Sequence, residues 1–186
     1  MAVVTTEALE AGLETVRGSP KDHGSVVLIV CRPAENERRT LEVGVLDPVE
    51  GLVGDSWLER GSGRTRVETV NPDRQVTVMN ARVATLVAGG PDHGGLPGDQ
   101  LYVDLDLSQE NLRTGDRLQV GSAVLQVTEE PHLGCHKFSA RFGPEALRFV
   151  NSLLGQSLRL RGVNTRVVRP GTVEVGDRVD KVPADG

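Results

Sequence analysis

Leu101-Tyr102-Val103-Asp104-Leu105-Asp106-Leu107 alternates with period two. Leu101, Val103, Leu105 and Leu107 are predicted to face inward while Tyr102, Asp104 and Asp106 face out, the pattern of a half-buried strand. Comparable runs lie on both sides of it, at residues 26–30, 41–46, 75–79, 117–128 with a break at Gly121-Ser122, 158–161, 165–168 and 172–175. Gly-Asp recurs between them at Gly54-Asp55, Gly98-Asp99, Gly115-Asp116 and Gly176-Asp177. Glycine supplies positive φ and aspartate bonds its own backbone, so all four read as turns between strands. Two helices read clearly. Asn80 caps the first, in which Val83, Leu86 and Val87 share a face and Gly89-Gly90 ends the run. Pro144 opens the second, whose buried stripe is predicted to be Leu147, Val150, Leu153 and Leu154 before Gly155. Many short strands with few helices and no βαβ alternation predict a mainly β fold, a barrel or strongly curved sheet over residues 25–182. Residues 1–24 form an N-terminal extension to it.

Length and charge narrow the function. The chain has 186 residues, 26 acidic and 21 basic, for a net charge of −5. That suits one domain, and 38% hydrophobic residues with 25% charged supply a packed core. The acidity and the five aromatic residues (three Phe, one Trp, one Tyr) argue against a nucleic-acid surface, which needs positive charge and exposed rings. No apolar run approaches the roughly 20 residues that cross a bilayer, and the first residues lack the basic-then-apolar order of a secretory signal. The expectation is a cytoplasmic protein that works on a small ligand, without a membrane. Cys31 and Cys135 are far apart, and a reducing compartment disfavours a disulfide between them.

The chemistry concentrates in Glu129-Glu130-Pro131-His132-Leu133-Gly134-Cys135-His136-Lys137-Phe138. Pro131 and Gly134 break the preceding strand, which places Cys135 on a loop. A thiol near His132, His136, Lys137 and Arg141 sits in a field that favours thiolate, the form that attacks electrophiles, carries sulfur or ligates a metal. The alternative is a buried cysteine that fills a gap, and core filler is the preferred reading of Cys31. A closed zinc site at His132, Cys135 and His136 is disfavoured, because structural zinc draws paired ligands from two segments. A single thiolate offered to a cofactor-borne metal suits the inventory better.

Other segments carry weaker signals. The charged stretch 32–40 reads as a hairpin tip. Residues 58–73, with Arg60, Arg64 and Arg66, read either as an arginine-bearing lid that closes with Arg74 over an anionic ligand or as a solvated insertion. His93 lies in a glycine- and proline-rich loop that reads as surface. Asn111 can read a heterocycle edge or merely close an Asx-turn.

In order and spacing, Gly51-Leu52-Val53-Gly54-Asp55, Arg74 to Asn80, Glu110-Asn111-Leu112 with Gly115-Asp116, Cys135, Arg141-Phe142-Gly143 and the closing residues 162–179 resemble the MOSC domain. That family is named after the C-terminal domain of molybdenum cofactor sulfurase. The resemblance covers most of the chain from about the fortieth residue onward. It implies a closed, mixed β-barrel of complex topology and a molybdopterin-type cofactor. Cys135 would be the persulfide carrier or molybdenum ligand, with Arg74, Asn80, Asn111, His132, His136 and Lys137 about the cofactor. Family members often carry proline just before the cysteine and arginine a little earlier; here His132-Leu133-Gly134 stands instead. One domain fills the chain, so the sulfurase's pyridoxal phosphate domain is expected to be absent. A cysteine desulfurase or a redox partner would then be supplied from outside. Three roles remain open: a sulfur-transfer protein or molybdenum-dependent reductase component, a non-catalytic module that binds and delivers the cofactor, and a thiol-redox or zinc protein without pterin.

Overall fold

The computed structural model describes residues 3–60, 70–90 and 95–183. Strand β1 (Gly24–Cys31) pairs antiparallel with β6 (Leu101–Asp104), and β6 pairs parallel with β5 (Val76–Asn80). From β5 the ladder runs antiparallel through β9 (Val163–Arg169), β8 (Ala123–Val127), β7 (Arg117–Val120) and β11 (Arg178–Val182). β11 returns to β1 at Gly24 opposite Val179, closing a mixed barrel of seven strands. Closure pairs the edges that an open sheet would expose. β2 (Arg39–Leu41) adds an eighth strand beyond β1 through the hairpin expected at residues 32–40, with Cys31 opposite Arg39. A separate three-stranded sheet joins β10 (Gly171–Glu174), β3 (Val43–Asp47) and β4 (Gly51–Leu52).

Two apolar cores divide the strand faces. Leu101, Val103, Leu105 and Leu107 lie in the barrel core with Cys31, as their alternation requires. Tyr102 does not face solvent as the period-two reading predicts. It is buried in a second core, with Met79, against helices. Four helices cover that face: α1 (Thr6–Ala11), α2 (Leu13–Arg17), α4 (Ala81–Ala88) and α5 (His136–Asn151). The N-terminal extension is therefore helical from Thr6 to Arg17, anchored by Leu9, Leu13 and Val16. α3 (Trp57–Arg60) and α6 (Leu153–Ser157) are short.

Local signals set α4 as expected. The Asn80 side chain accepts from the N–H groups of Arg82 and Val83, and Gly89 ends the helix at φ 70°. The second helix differs. It begins at His136, kinks at Gly143 (φ 87°) and resumes at Pro144. A new N-cap, Ser152, then starts α6 and breaks the apolar register, which leaves Leu153 89% exposed. Of the expected stripe Val150 is buried and Leu147 packs partly against the same core, and Phe138, Phe142 and Ala146 complete the buried face. Residues 158–161 form no strand: Arg159 takes φ 49° in the turn that ends α6. Among the described residues, no helix is long and apolar enough to cross a membrane.

Candidate functional site

The segment Gly95 to Asp99 leads into β6, and side chains from four places cap its carbonyls in succession. Tyr102 Oη donates to Gly95 O (3.2 Å), Arg141 Nη1 to Leu96 O (3.1 Å), Arg161 Nη2 to Pro97 O (3.2 Å) and Arg32 Nη1 to Gly98 O (2.8 Å). Tyr102 Oη also accepts from the N–H groups of Gly98 and Asp99. Burial pushes the Tyr102 pKa well up, so the phenol stays protonated. Gly98 has φ 91°, and a Cβ there would stand 3.1 Å from Arg38 Nη2 and 3.6 Å from Arg141 Nη1. Glycine thus serves both the backbone turn and the approach of two guanidinium groups.

Two buried ion pairs anchor this floor. Arg32 grips Asp55 through Nε (2.8 Å) and Nη2 (3.0 Å), and Asp55 also accepts from the N–H of Trp57. Arg161 Nη1 donates to Asp99 Oδ2 at 2.6 Å, and its guanidinium carbon lies 5.3 Å from the centre of the Phe138 ring. His132 Nε2 stands 3.5 Å from Asp99 Oδ1, with the His132 side chain only 13% exposed. Burial first, and then the Arg161 charge, pushes the His132 pKa down to about 3, so the imidazole is neutral at ordinary pH.

Cys135 is the exposed thiol and Cys31 the buried one. Cys135 is the N-cap of α5 with extended backbone (φ −119°, ψ −178°), and its carbonyl accepts from the Ser139 N–H. α5 leans on the β1–β2 loop, because Lys137 Nζ donates to Glu35 Oε1 at 2.9 Å. The cationic field anticipated around the thiol is thinner than its sequence suggests: His132 is neutral and Lys137 is paired. Arg141 is bound to the Leu96 carbonyl. Arg74 ends a short 3-10 turn, Pro72–Arg74, ahead of β5, and is tied to Glu130 Oε2 through Nε (2.7 Å). Arg64, Arg66 and His93 lie outside the described residues, as does the side chain of Arg60, so the lid expectation rests on Arg74 alone.

Two asparagines singled out in the sequence are occupied elsewhere. Asn80 Nδ2 donates to Ser19 Oγ and Leu105 O while its oxygen caps α4, all in a buried setting. Asn111 Nδ2 donates to Lys21 O and Asp106 O, and its Oδ1 accepts from Lys181 Nζ. Each closes a turn or helix end and has no polar atom to spare. His132, Cys135 and His136 do not converge on a common ion. Among the described residues, the group that gathers potential ligand atoms is Asp22, His23 and Asp180. There Arg178 Nη2 already lies 2.7 Å from His23 Nδ1 and 2.9 Å from Asp180 Oδ1, in the place a cation would take.

His132 and Arg161 also line a cavity of about 420 Å³ between the loops after β6 and β8 and the link from α6 to β9. Its wall ends at Leu133, short of Cys135. Arg32 and Arg161 carry no functional reading in the sequence, and Asp55 and Asp99 read there as turn residues; in the structure the four form the two ion pairs of this floor.

The protein is a closed mixed barrel with an exposed cysteine, Cys135, at a helix start and a loop floor capped by guanidinium groups. The chain belongs to the MOSC domain family, whose model matches residues 65–180. Its fold is similar to that of the YUAD protein from Bacillus subtilis (TM-score 0.63, 18% identity, 87% of this chain and 97% of that one). It is also similar to YiiM from Escherichia coli (TM-score 0.56, 19% identity, 87% and 71%) and YiiM from Geobacillus stearothermophilus (TM-score 0.58, 18% identity, 86% and 75%). No curated protein matches the chain.

Proposed function

We propose that the chain binds a molybdopterin-type cofactor and that Cys135 supplies the protein's thiolate to it. The observation that carries this reading is the contrast between the two thiols: Cys31 is sealed in the barrel core, while Cys135 stands exposed at the start of α5. Membership of the MOSC family, which is associated with molybdenum cofactor chemistry, supports it. The donors fit such a group. A lone soft thiolate with no second cysteine or converging histidine suits a metal that brings its remaining ligands with it. Arg141, on the same helix, offers a cationic donor to a phosphate, and Lys137 offers another where the phosphate displaces Glu35. When bound, the cofactor supplies redox or sulfur-transfer chemistry at molybdenum. The chain's own part is to present Cys135, hold the anion and keep His132 neutral behind the floor. Both thiols stay free in a reducing cytoplasm, with a cysteine desulfurase or an electron donor as the external partner.

The full chain and its Cys135→Ser variant, purified without oxygen, test this by metal analysis and intact native mass. Molybdenum with pterin in the wild type and its loss in the variant is the expected result. An added sulfur on Cys135 without molybdenum would assign the carrier role. Zinc without pterin, or equal molybdenum in both proteins, overturns the reading.

A further inference from the structure

The cavity beside His132 is bordered by buried polar atoms that lack hydrogen-bond partners among the described residues. Arg161 spends Nη1 on Asp99 and Nη2 on Pro97 O, yet its Nε is buried without a hydrogen-bond partner among the described residues. His132 Nδ1 is buried and unpartnered too, as an acceptor, because the neutral ring turns Nε2 toward the Asp99 carboxylate, whose Oδ1 also lacks a hydrogen-bond partner among the described residues. Buried polar atoms are rarely left so, and a charged N–H least of all. Both residues line the cavity.

Arg159, on the same wall, is placed at a conformational cost. It follows Leu158, the C-cap of α6, with φ 49°; the Leu160 N–H bonds Gly155 O and the Arg159 N–H bonds Gln156 O. This is the Schellman closure, in which the left-handed position is ordinarily glycine. An arginine held there directs a guanidinium to this wall, where the contacts it makes are to backbone oxygen, Nη1 to Leu112 O at 2.9 Å and to Leu107 O at 3.5 Å. The lining's carboxylates are Glu129, which is exposed, and Glu130, which Arg74 engages. Asp116 also acts on Arg159, so net charge alone does not define the ligand. The unfilled Arg161 Nε does, together with the Arg159 guanidinium and an apolar floor of Leu112, Val150 and Val163. The volume lies in the lower part of the small-molecule range.

We propose that this cavity binds a small organic anion, whose carboxylate or phosphate oxygens accept from Arg161 Nε and the Arg159 guanidinium while its body lies on the apolar floor. The site is separate from the Cys135 thiol and stands independently of the cofactor reading.

Benzoate, a carboxylate on an apolar ring, is the probe, with inorganic phosphate as the second arm. Titration of the arginine-15N-labelled full chain reads the Nε–H resonance of each arginine. A saturable shift at Arg161 with benzoate is expected; the same shift with phosphate alone would identify the headgroup as phosphate and support the site. Arg159→Gly should weaken binding roughly tenfold, the effect of a lost charge-assisted bond. The unfolding temperature should change little, because relief of the left-handed backbone offsets the lost bond to Leu112 O. Arg113→Gln, on the exposed rim, is a second variant that spares the fold and should weaken binding less. Cys135→Ser should leave it unchanged. Unsaturated shifts shared with exposed Arg178, unchanged affinity in both arginine variants, or loss of affinity in Cys135→Ser would each overturn the proposal.

Discussion

Replacing His132 with Gln should remove a defined part of the chain's acid sensitivity. The folded protein holds this imidazole neutral, its pKa pushed down to about 3 by burial and by the Arg161, Arg32 and Arg74 charges, against the opposing pull of Asp99. An unfolded chain lets the ring take its proton near 6.5. Below that pH the unfolded state binds a proton that the folded state refuses, so stability is full above pH 6.5 and falls as the pH drops toward 3. The limiting slope is about 1.4 kcal/mol per pH unit, and integrating from pH 7 to pH 5 gives a loss of about 2 kcal/mol. With a urea m-value of about 2 kcal/mol/M, the wild-type midpoint should fall by roughly 1 M over that interval beyond any fall in the variant. Urea unfolding at pH 7, 6 and 5, followed by far-ultraviolet circular dichroism on both proteins, makes the comparison. The exposed histidines and the carboxylates are common to both and cancel in the difference. Parallel pH slopes, or an NMR titration of His132 with a midpoint near 6.5, would refute the buried neutral imidazole.

Asp99→Asn should cost about 3–5 kcal/mol, because it leaves the Arg161 charge, on a side chain only 10% exposed, without its carboxylate; thermal unfolding measures it, and a loss below about 1 kcal/mol would contradict the pairing. Asn111→Ala should lower stability of the cofactor-free chain by about 1–3 kcal/mol through the lost bonds to Lys21 and Asp106, and an unchanged midpoint would return Asn111 to a ligand-binding role. Iodoacetamide on the native protein should alkylate Cys135 first, since Cys31 is buried and desolvation pushes its thiol pKa up; peptide mapping that finds Cys31 labelled first overturns the assignment.

Strands and α4 were legible because their signals are local. Alternation marks one buried face, and Asn80 with Gly89 marks both ends of a helix within a few residues. The failures have equally specific causes. Leu158-Arg159-Leu160-Arg161 alternates like a strand, but a helix end placed Arg159 left-handed and sent Leu160 into the helical core. Tyr102 was assigned outward because period two says which residues share a face, and nothing in it says that helices cover the other face. The parallel pairing of β5 with β6 and the return of β11 to β1 join segments remote in sequence, which no local pattern encodes.

The four Gly-Asp pairs show why the site was harder to read than the fold. All four glycines take positive φ, as turns require. At Gly115-Asp116 and Gly176-Asp177 the aspartate then does what the sequence suggests: Asp116 accepts from the Arg113 N–H and Asp177 from the Glu174 N–H. At Gly54-Asp55 and Gly98-Asp99 the same dipeptide carries buried carboxylates, each held by an arginine, Arg32 at 23 residues' remove and Arg161 at 62. Burial of a carboxylate without such a partner is costly, so the arginine and the barrel that delivers it decide which turn becomes a site. Arg161 can reach Asp99 only because β9 pairs with β5, and β5 in turn with β6, which fixes the approach to β9 beside the segment leading into β6. The site is therefore a property of strand order. The turn motif sets the backbone at each of these four places, and the closure of the barrel sorts them into surface turns and floor.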